Sequence, residues 1–304
     1  MRDGDTIRRF LFDKFPVRGY VVHLDASWRA LYEHHDYPGV IRDTLGEAAA
    51  ATVLLASTLK FEGLLTLQMQ GPGPMHLLVS QATHRMAIRA VARHRGELPG
   101  DPNLQSLTGS GGQITVTIEN TDRTSRYQGV VPLTGEGLAG SLQHYFERSE
   151  QLPTRLWLAA TPERAAGLLL QRLPSGASAS AEEDELQAAE GDEDWNRVLH
   201  LAQTLTPDEL VKLPGSELLR RLFHEEDVRM FEPGPVFFQC TCSRERVQGI
   251  LRSLGEPEVR SVLEEQGQVE VRCEFCNRAY RFDAVDVAAL FTAAPPVGGV
   301  SGLQ

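Results

Sequence analysis

The four cysteines of this 304-residue chain fall as Cys240-Thr241-Cys242 and Cys273-Glu274-Phe275-Cys276, and no other position carries one. Two close pairs, about thirty residues apart, offer four soft ligands that the intervening segment can fold onto a single tetrahedral Zn²⁺. That requirement constrains the fold more than anything else here. A module of about fifty residues has too small a core to be secure alone and takes its order from the metal. Inert buried cysteines would not gather in two pairs, and permanent disulfides conflict with a compartment where thiols stay reduced. The pattern therefore reads as one Zn²⁺ held by Cys240, Cys242, Cys273 and Cys276.

The CxC member opens chemistry beyond a structural metal. Thiolates on one Zn²⁺ at about 2.3 Å sit about 4 Å apart, whereas a disulfide needs about 2.05 Å. Ligation and bonding exclude each other, so oxidising a pair must expel the metal. A ring closed by Cys-x-Cys is small, which favours a reducible bond. Ligand thiolates are already in the form that reacts with oxidants. The same four sulfurs can therefore serve as a switch.

Composition narrows the partners. The formal net charge is −11 and the sequence pI about 5.3, with 41% hydrophobic and 23% charged residues. A general nucleic-acid binder needs a basic stripe, and an acidic membrane surface attracts cations, so neither partner is expected. The opening MRDGDTIRRFLFDKF has no apolar core of a secretory signal, and the longest apolar stretch, Ala48 to Ala56, is too short to span a bilayer. With closely paired cysteines and no leader, a cytoplasmic location is expected.

Along the chain, Tyr20 to Leu24, Leu64 to Gln70, His76 to Ser80, Ala87 to Ala92, Gln113 to Glu119, Tyr127 to Leu133, Arg155 to Ala160 and Ala166 to Arg172 read as strands. Gly71-Pro72-Gly73-Pro74 can only be a turn. Asp43-Thr44 supplies cap chemistry for a helix from about Leu45 to Lys60, and a second helix is expected from about Gly137 to Glu150. Strands following one another without intervening helices predict an α+β fold with a largely antiparallel sheet. After Pro174 the character changes. Glu182 to Asp194 carries eight acidic residues and no basic one, which reads as a solvated linker. Trp195, Val198, Leu199, Ala202 and Leu205, then Leu218, Leu219, Leu222 and Phe223, recur at helical spacing and need an apolar surface to lie on. The expected organisation is an N-terminal α+β domain over 1–175, an acidic then amphipathic helical linker over 176–234, a small zinc-binding domain over 235–290 and a flexible tail over 291–304.

Other motifs carry less. In His34-His35-Asp36 adjacent side chains diverge and no HExxH helix accompanies them. Gly109-Ser110-Gly111-Gly112 is neither a nucleophile elbow nor a phosphate loop. Arg85, Arg89, Arg93 and Arg95 make a local basic patch that reads as a solvated face. A Cys₄ site leaves no open coordination position for Lewis-acid catalysis, and no catalytic constellation is found, so an enzyme is not expected.

The runs Leu218-Leu219-Arg220-Arg221-Leu222-Phe223-His224-Glu225-Glu226 and Phe238-Gln239-Cys240-Thr241-Cys242-Ser243-Arg244-Glu245-Arg246 are distinctive. So are Leu263-Glu264-Glu265-Gln266-Gly267, Cys273-Glu274-Phe275-Cys276-Asn277 and Tyr280-Arg281-Phe282. With Gly129-Val130-Val131-Pro132-Leu133 and Tyr145 to Thr154, they closely resemble the heat-shock protein 33 family, the bacterial redox-regulated holdase chaperones also called 33 kDa chaperonin. The resemblance covers nearly the whole chain. It implies an ATP-independent chaperone, dormant when reduced and bound to one zinc per chain. Oxidation in this family forms one disulfide within the CxC and one within the CxxC, here Cys240–Cys242 and Cys273–Cys276. Zinc is then released, the C-terminal module and linker unfold, and the protein forms a homodimer that holds unfolding or oxidatively damaged clients. The acidic insertion around Glu182 to Asp194 and the tail after Leu290 depart from the family pattern. The alternative is a zinc-ribbon binding module whose metal is purely structural.

Overall fold

Short alternating runs rich in β-branched residues, closed by glycine, proline or asparagine, make the strands on which the computed structural model of the chain is built. It describes residues 4–100, 102–122, 126–135, 137–147, 152–174 and 181–292, with the backbone alone over 181–191. The chain starts with β1 (Thr6–Phe12), β2 (Val17–Leu24), α1 (Ala26–Tyr32) and α2 (Gly39–Thr58). Next come β3 (Gly63–Gln70), β4 (Met75–Thr83), β5 (Ala87–His94), α3 (Leu104–Thr108), β6 (Gln113–Asn120) and β7 (Arg126–Pro132). They are followed by α4 (Gly137–Tyr145), β8 (Thr154–Ala160), β9 (Ala165–Arg172), α5 (Ala181–Ala202), α6 (Pro207–Lys212) and α7 (Gly215–Phe223). Three short strands, β10 (Val228–Met230), β11 (Gly234–Pro235) and β12 (Phe237–Phe238), lead to α8 (Arg244–Leu254) and α9 (Glu256–Gln266). The last elements are β13 (Val269–Arg272), β14 (Ala279–Phe282) and α10 (Ala284–Thr292).

The chain divides into two compact units, residues 1–239 and 240–304. In the first, one sheet runs β10-β1-β2-β9-β8, with β11 also on β1, and a second runs β12-β5-β4-β3-β6-β7. Every pairing is antiparallel except β12 on β5. Helix α2 packs against β2, β8 and β9 of one sheet and β3, β4 and β5 of the other. A helix covered on two sides has to be apolar nearly all round, and Ala48 to Ala51 let both sheets approach closely. The fold class expected from the sequence, α+β with antiparallel sheets, is the one observed.

Two cores lie on opposite faces of β2 and β9. Val22, Leu24, Ala165 and Leu169 face the α2 core, while Val21, Ala166, Leu168 and Leu170 face a second cluster with Phe10 and Phe12. That second cluster is completed by Trp195, Val198, Ala202, Leu210, Leu218, Leu222 and Phe223 of α5, α6 and α7. The amphipathic helices thus have the apolar surface their spacing demanded. Polar contacts fix them as well: the buried His23 Nε2 lies 3.0 Å from the Leu210 carbonyl, and Arg164 donates to the Val211 carbonyl at 2.9 Å. Close packing reaches into β2, where a Cβ on Gly19 would lie 2.1 Å from the Phe10 ring. Gly19→Val should therefore destabilise the first unit by about 1–3 kcal/mol, measured by chemical denaturation.

Three sequence expectations change. The long helix starts at Gly39 behind Pro38 rather than at Asp43-Thr44. Thr44 Oγ1 bonds the Val40 carbonyl within the helix at 2.8 Å, and the helix starts without a side-chain cap, the Ile41 and Arg42 N–H groups donating to the Pro38 carbonyl at 3.0 Å. The acidic run, read as a solvated linker with no helix assigned to it, has a helical backbone as part of α5, which leaves its solvation untouched. Its C-terminal end is anchored by burial of Trp195 and by an ion pair between Asp192 and Arg172. Strand β1 went unread because Arg8-Arg9 interrupts its alternation; in the structure Phe10 and Phe12 fill the second core. The far end of the second expected helix, 148–150, and the tail beyond 292 lie outside the described residues.

The second unit pairs β13 with β14 and packs α8, α9 and α10 around Val247, Leu251, Val259, Val269, Tyr280, Phe282, Val287 and Leu290. Eight buried apolar residues are a small core for a free-standing unit.

Candidate metal centre

Each cysteine pair is shaped by its local backbone. In the second pair the Cys273 N–H donates to the Arg278 carbonyl at 2.9 Å and the Asn277 N–H to the Cys273 carbonyl at 2.8 Å. Asn277 takes φ 54°, the left-handed conformation that asparagine tolerates better than most residues. This knuckle turns Cys273 and Cys276 the same way. The first pair precedes α8, whose N-cap Ser243 accepts from the Arg246 N–H, while the Arg246 side chain donates to the Thr241 carbonyl at 2.7 Å. Cys242 and Cys273 lean on the small core.

The four Sγ atoms lie within 4.8 Å of one another, the one such convergence of three or more His, Cys, Asp or Glu ligand atoms among the described residues. Two contacts run between the motifs, Cys240 to Cys273 at 3.6 Å and Cys242 to Cys276 at 3.4 Å. Tetrahedral ligation of Zn²⁺ at about 2.3 Å would space sulfurs by about 3.8 Å, so the cluster fits such an ion.

The donor chemistry fits as well. Burial, followed by the surrounding thiols, pushes Cys276 far up, and burial raises Cys240 too. Burial also works to raise Cys242. There the Tyr280 hydroxyl at 3.1 Å and the other three thiols outweigh it and bring the pKa down to about 7. Thiolates this close repel one another, and a cation among them removes the conflict. Tyr280→Phe removes this donor to a ligand sulfur and should weaken zinc binding about tenfold or more, as read by chelator competition.

Tyr280 is the functional neighbour that cysteine spacing alone does not reveal. Its place in β14, four residues beyond the knuckle, is the signal available in the sequence. The other sequence candidates belong to the first unit. His35 stacks on Tyr37 at 5.1 Å, Arg89 bonds Gln81, and the Gly109 to Gly112 run is a turn between α3 and β6.

The comparisons with known proteins agree with this architecture. The family model described as "Hsp33 protein" matches residues 5–283. The chain belongs to the Hsp33 family. Among curated Hsp33 relatives, the 33 kDa chaperonin of Nitrosococcus oceani is 49% identical over 292 residues, covering 96% of each chain. The 33 kDa chaperonin of Cronobacter sakazakii is 44% identical over 97% of this chain and 98% of its own. The crystal structure of the 33 kDa chaperonin, an Hsp33 homolog, from Thermotoga maritima superposes with a TM-score of 0.78. It covers 95% of this chain and 98% of its own at 21% identity, a likeness of fold. The Hsp33 family places this chain among molecular chaperones. No helix among the described residues is long and apolar enough to cross a membrane.

Proposed function

We propose that the chain is a redox-regulated, ATP-independent holdase, dormant while Cys240, Cys242, Cys273 and Cys276 are reduced and hold one Zn²⁺. The observation that carries this reading is the convergence of all four thiols of the chain within 4.8 Å in a unit with a small core. Bound there, Zn²⁺ supplies the cross-link that the core lacks. Oxidation joins Cys240 to Cys242 and Cys273 to Cys276. Each disulfide forms as two thiolates yield two electrons to the oxidant, hypochlorous acid or peroxide. Sulfurs spaced for ligation stand about 3.8 Å apart and a disulfide needs about 2.05 Å, so pairing within each motif requires the local fold to rearrange. With no thiolates left as ligands the metal departs, the second unit unfolds, and the helices α5 to α7 loosen from the β1-β2-β9 face. The apolar side chains of that face then hold unfolding or oxidatively damaged polypeptides, and the active form is a homodimer. In this reading the protein works in the cytoplasm, is not an enzyme, and takes neither nucleic acid nor membrane as partner.

The test treats reduced, zinc-loaded protein with hypochlorous acid, or with peroxide at raised temperature. Zinc release near one equivalent per chain and suppressed aggregation of a heat-unfolded client are expected together. Zinc release with client aggregation unchanged would sink the chaperone reading, and zinc that resists the oxidant would sink the switch and favour a purely structural metal.

A further inference from the structure

Residues 228–239, which end immediately before Cys240, are held in the first unit largely through their backbone. Strands β10 and β11 lie along β1, and β12 lies parallel to β5 with Phe237 opposite Ala87 and Phe238 opposite Ile88. The N–H groups of Phe237 and Gln239 donate to the carbonyls of Met86 and Ile88 at 3.1 and 3.0 Å, and that of Val236 to Asp5 at 2.8 Å. Side chains alternate as in any strand. Val236 is 2% exposed within the α2 core and Phe238 packs against that core, while Phe237 is 43% exposed. Beside β12 opens a cleft of about 910 Å³ lined in part by Thr83, His84, Ala87, Phe237 and Gln239.

Around β10 side chains contribute, through the Arg229–Asp13 ion pair and Arg9 over the Phe231 ring at 5.2 Å, but from Val236 to Gln239 the attachment is generic. It consists of N–H donors at i and i+2 and apolar side chains at i and i+2, which any extended apolar polypeptide can offer. The hold is also weak. The ladders are two or three residues long, and Pro233 and Pro235 contribute no donor. Its position in the chain ties it to the cysteines, because opening of the second unit frees the C-terminal end of the strap.

We propose that the β5 edge, with the slots filled by Val236 and Phe238, is a client-binding site that residues 234–239 occupy in the dormant protein. When the strap leaves, an extended apolar segment of an unfolding polypeptide adds to β5 in its place, parallel, with alternate side chains in the two slots. The strap is the seated example of such an occupant. This rests on the chaperone reading above and adds to the β1-β2-β9 face a second client contact, on the other sheet.

The experiment uses full-length oxidised protein, a heat-unfolded client and a synthetic peptide of residues 230–239. The peptide should compete with the client. N-methylation at Phe237 and Gln239, whose N–H groups face β5, should weaken competition about tenfold or more, whereas N-methylation at Phe238, whose N–H faces away, should leave it unchanged. Amide exchange at Phe237 and Gln239 should accelerate on oxidation. In a second arm, Phe238→Asp should give client holding in the reduced protein at unaltered zinc content. If that variant fails to fold, the peptide series on the natural chain decides. Competition indifferent to the site of methylation overturns the proposal, as does retained protection at Phe237 and Gln239, which a strap exchanged between two copies would also produce. Oxidised protein that holds no client at all defeats the chaperone reading itself, so the two failures are distinguishable.

Discussion

Cys240→Ser should abolish the cooperative melting of residues 240–292 and leave that of the first unit within a few degrees of its natural value. A structural zinc contributes on the order of 10–16 kcal/mol, and eight buried apolar residues do not replace it. Loss of one of four thiolates lowers affinity and leaves the neighbouring sulfurs crowded without a full ligand set. Calorimetry with zinc quantification reads both effects at once. An undiminished second transition in the serine variant would break the link between ligation and folding. The same variant should show partial client holding without oxidant, because the step that oxidation triggers has already occurred.

Phe223→Ala carries the second large effect. The ring of Phe223 meets Phe12 edge-on at 5.0 Å between centroids and Phe10 at 6.3 Å, and its side chain is 2% exposed. Truncation of such a residue costs about 3–5 kcal/mol. That loss falls on the attachment of α7 to the β1-β2-β9 face and spares the α2 core on the opposite side. The reduced, zinc-loaded variant should therefore bind an apolar fluorescent probe and suppress client aggregation at a temperature where the natural chain remains dormant. If the variant merely unfolds globally at a lower temperature, in one transition, the two faces are not separable.

The cysteine cluster was legible in the sequence because its logic is local: two pairs at metal spacing single out the four thiols before any fold is known. Strands such as β6 were legible for a similar reason, since Gln113 to Glu119 alternates without interruption. What stayed hidden is set by distant partners. Strands β11 and β12 are two residues each and exist only because β1 and β5 offer edges to them. The helical backbone of the acidic run went unread because its charge density outweighed its continuity with the Trp195 helix. Tyr280 was visible as part of a family-like run, yet its hydrogen bond to Cys242 depends on how β14 lies against the knuckle.

The two-faced strand β9 has a consequence for how this protein diversifies. Leu169 and Ala165 belong to one interior, Ala166, Leu168 and Leu170 to the other. On the proposed mechanism, changes at the first set should unfold the whole first unit, whereas small changes at the second set should reset the temperature at which the helices lift. Neighbouring letters of one strand would then answer to different selective pressures, and every other residue could be edited to retune the alarm.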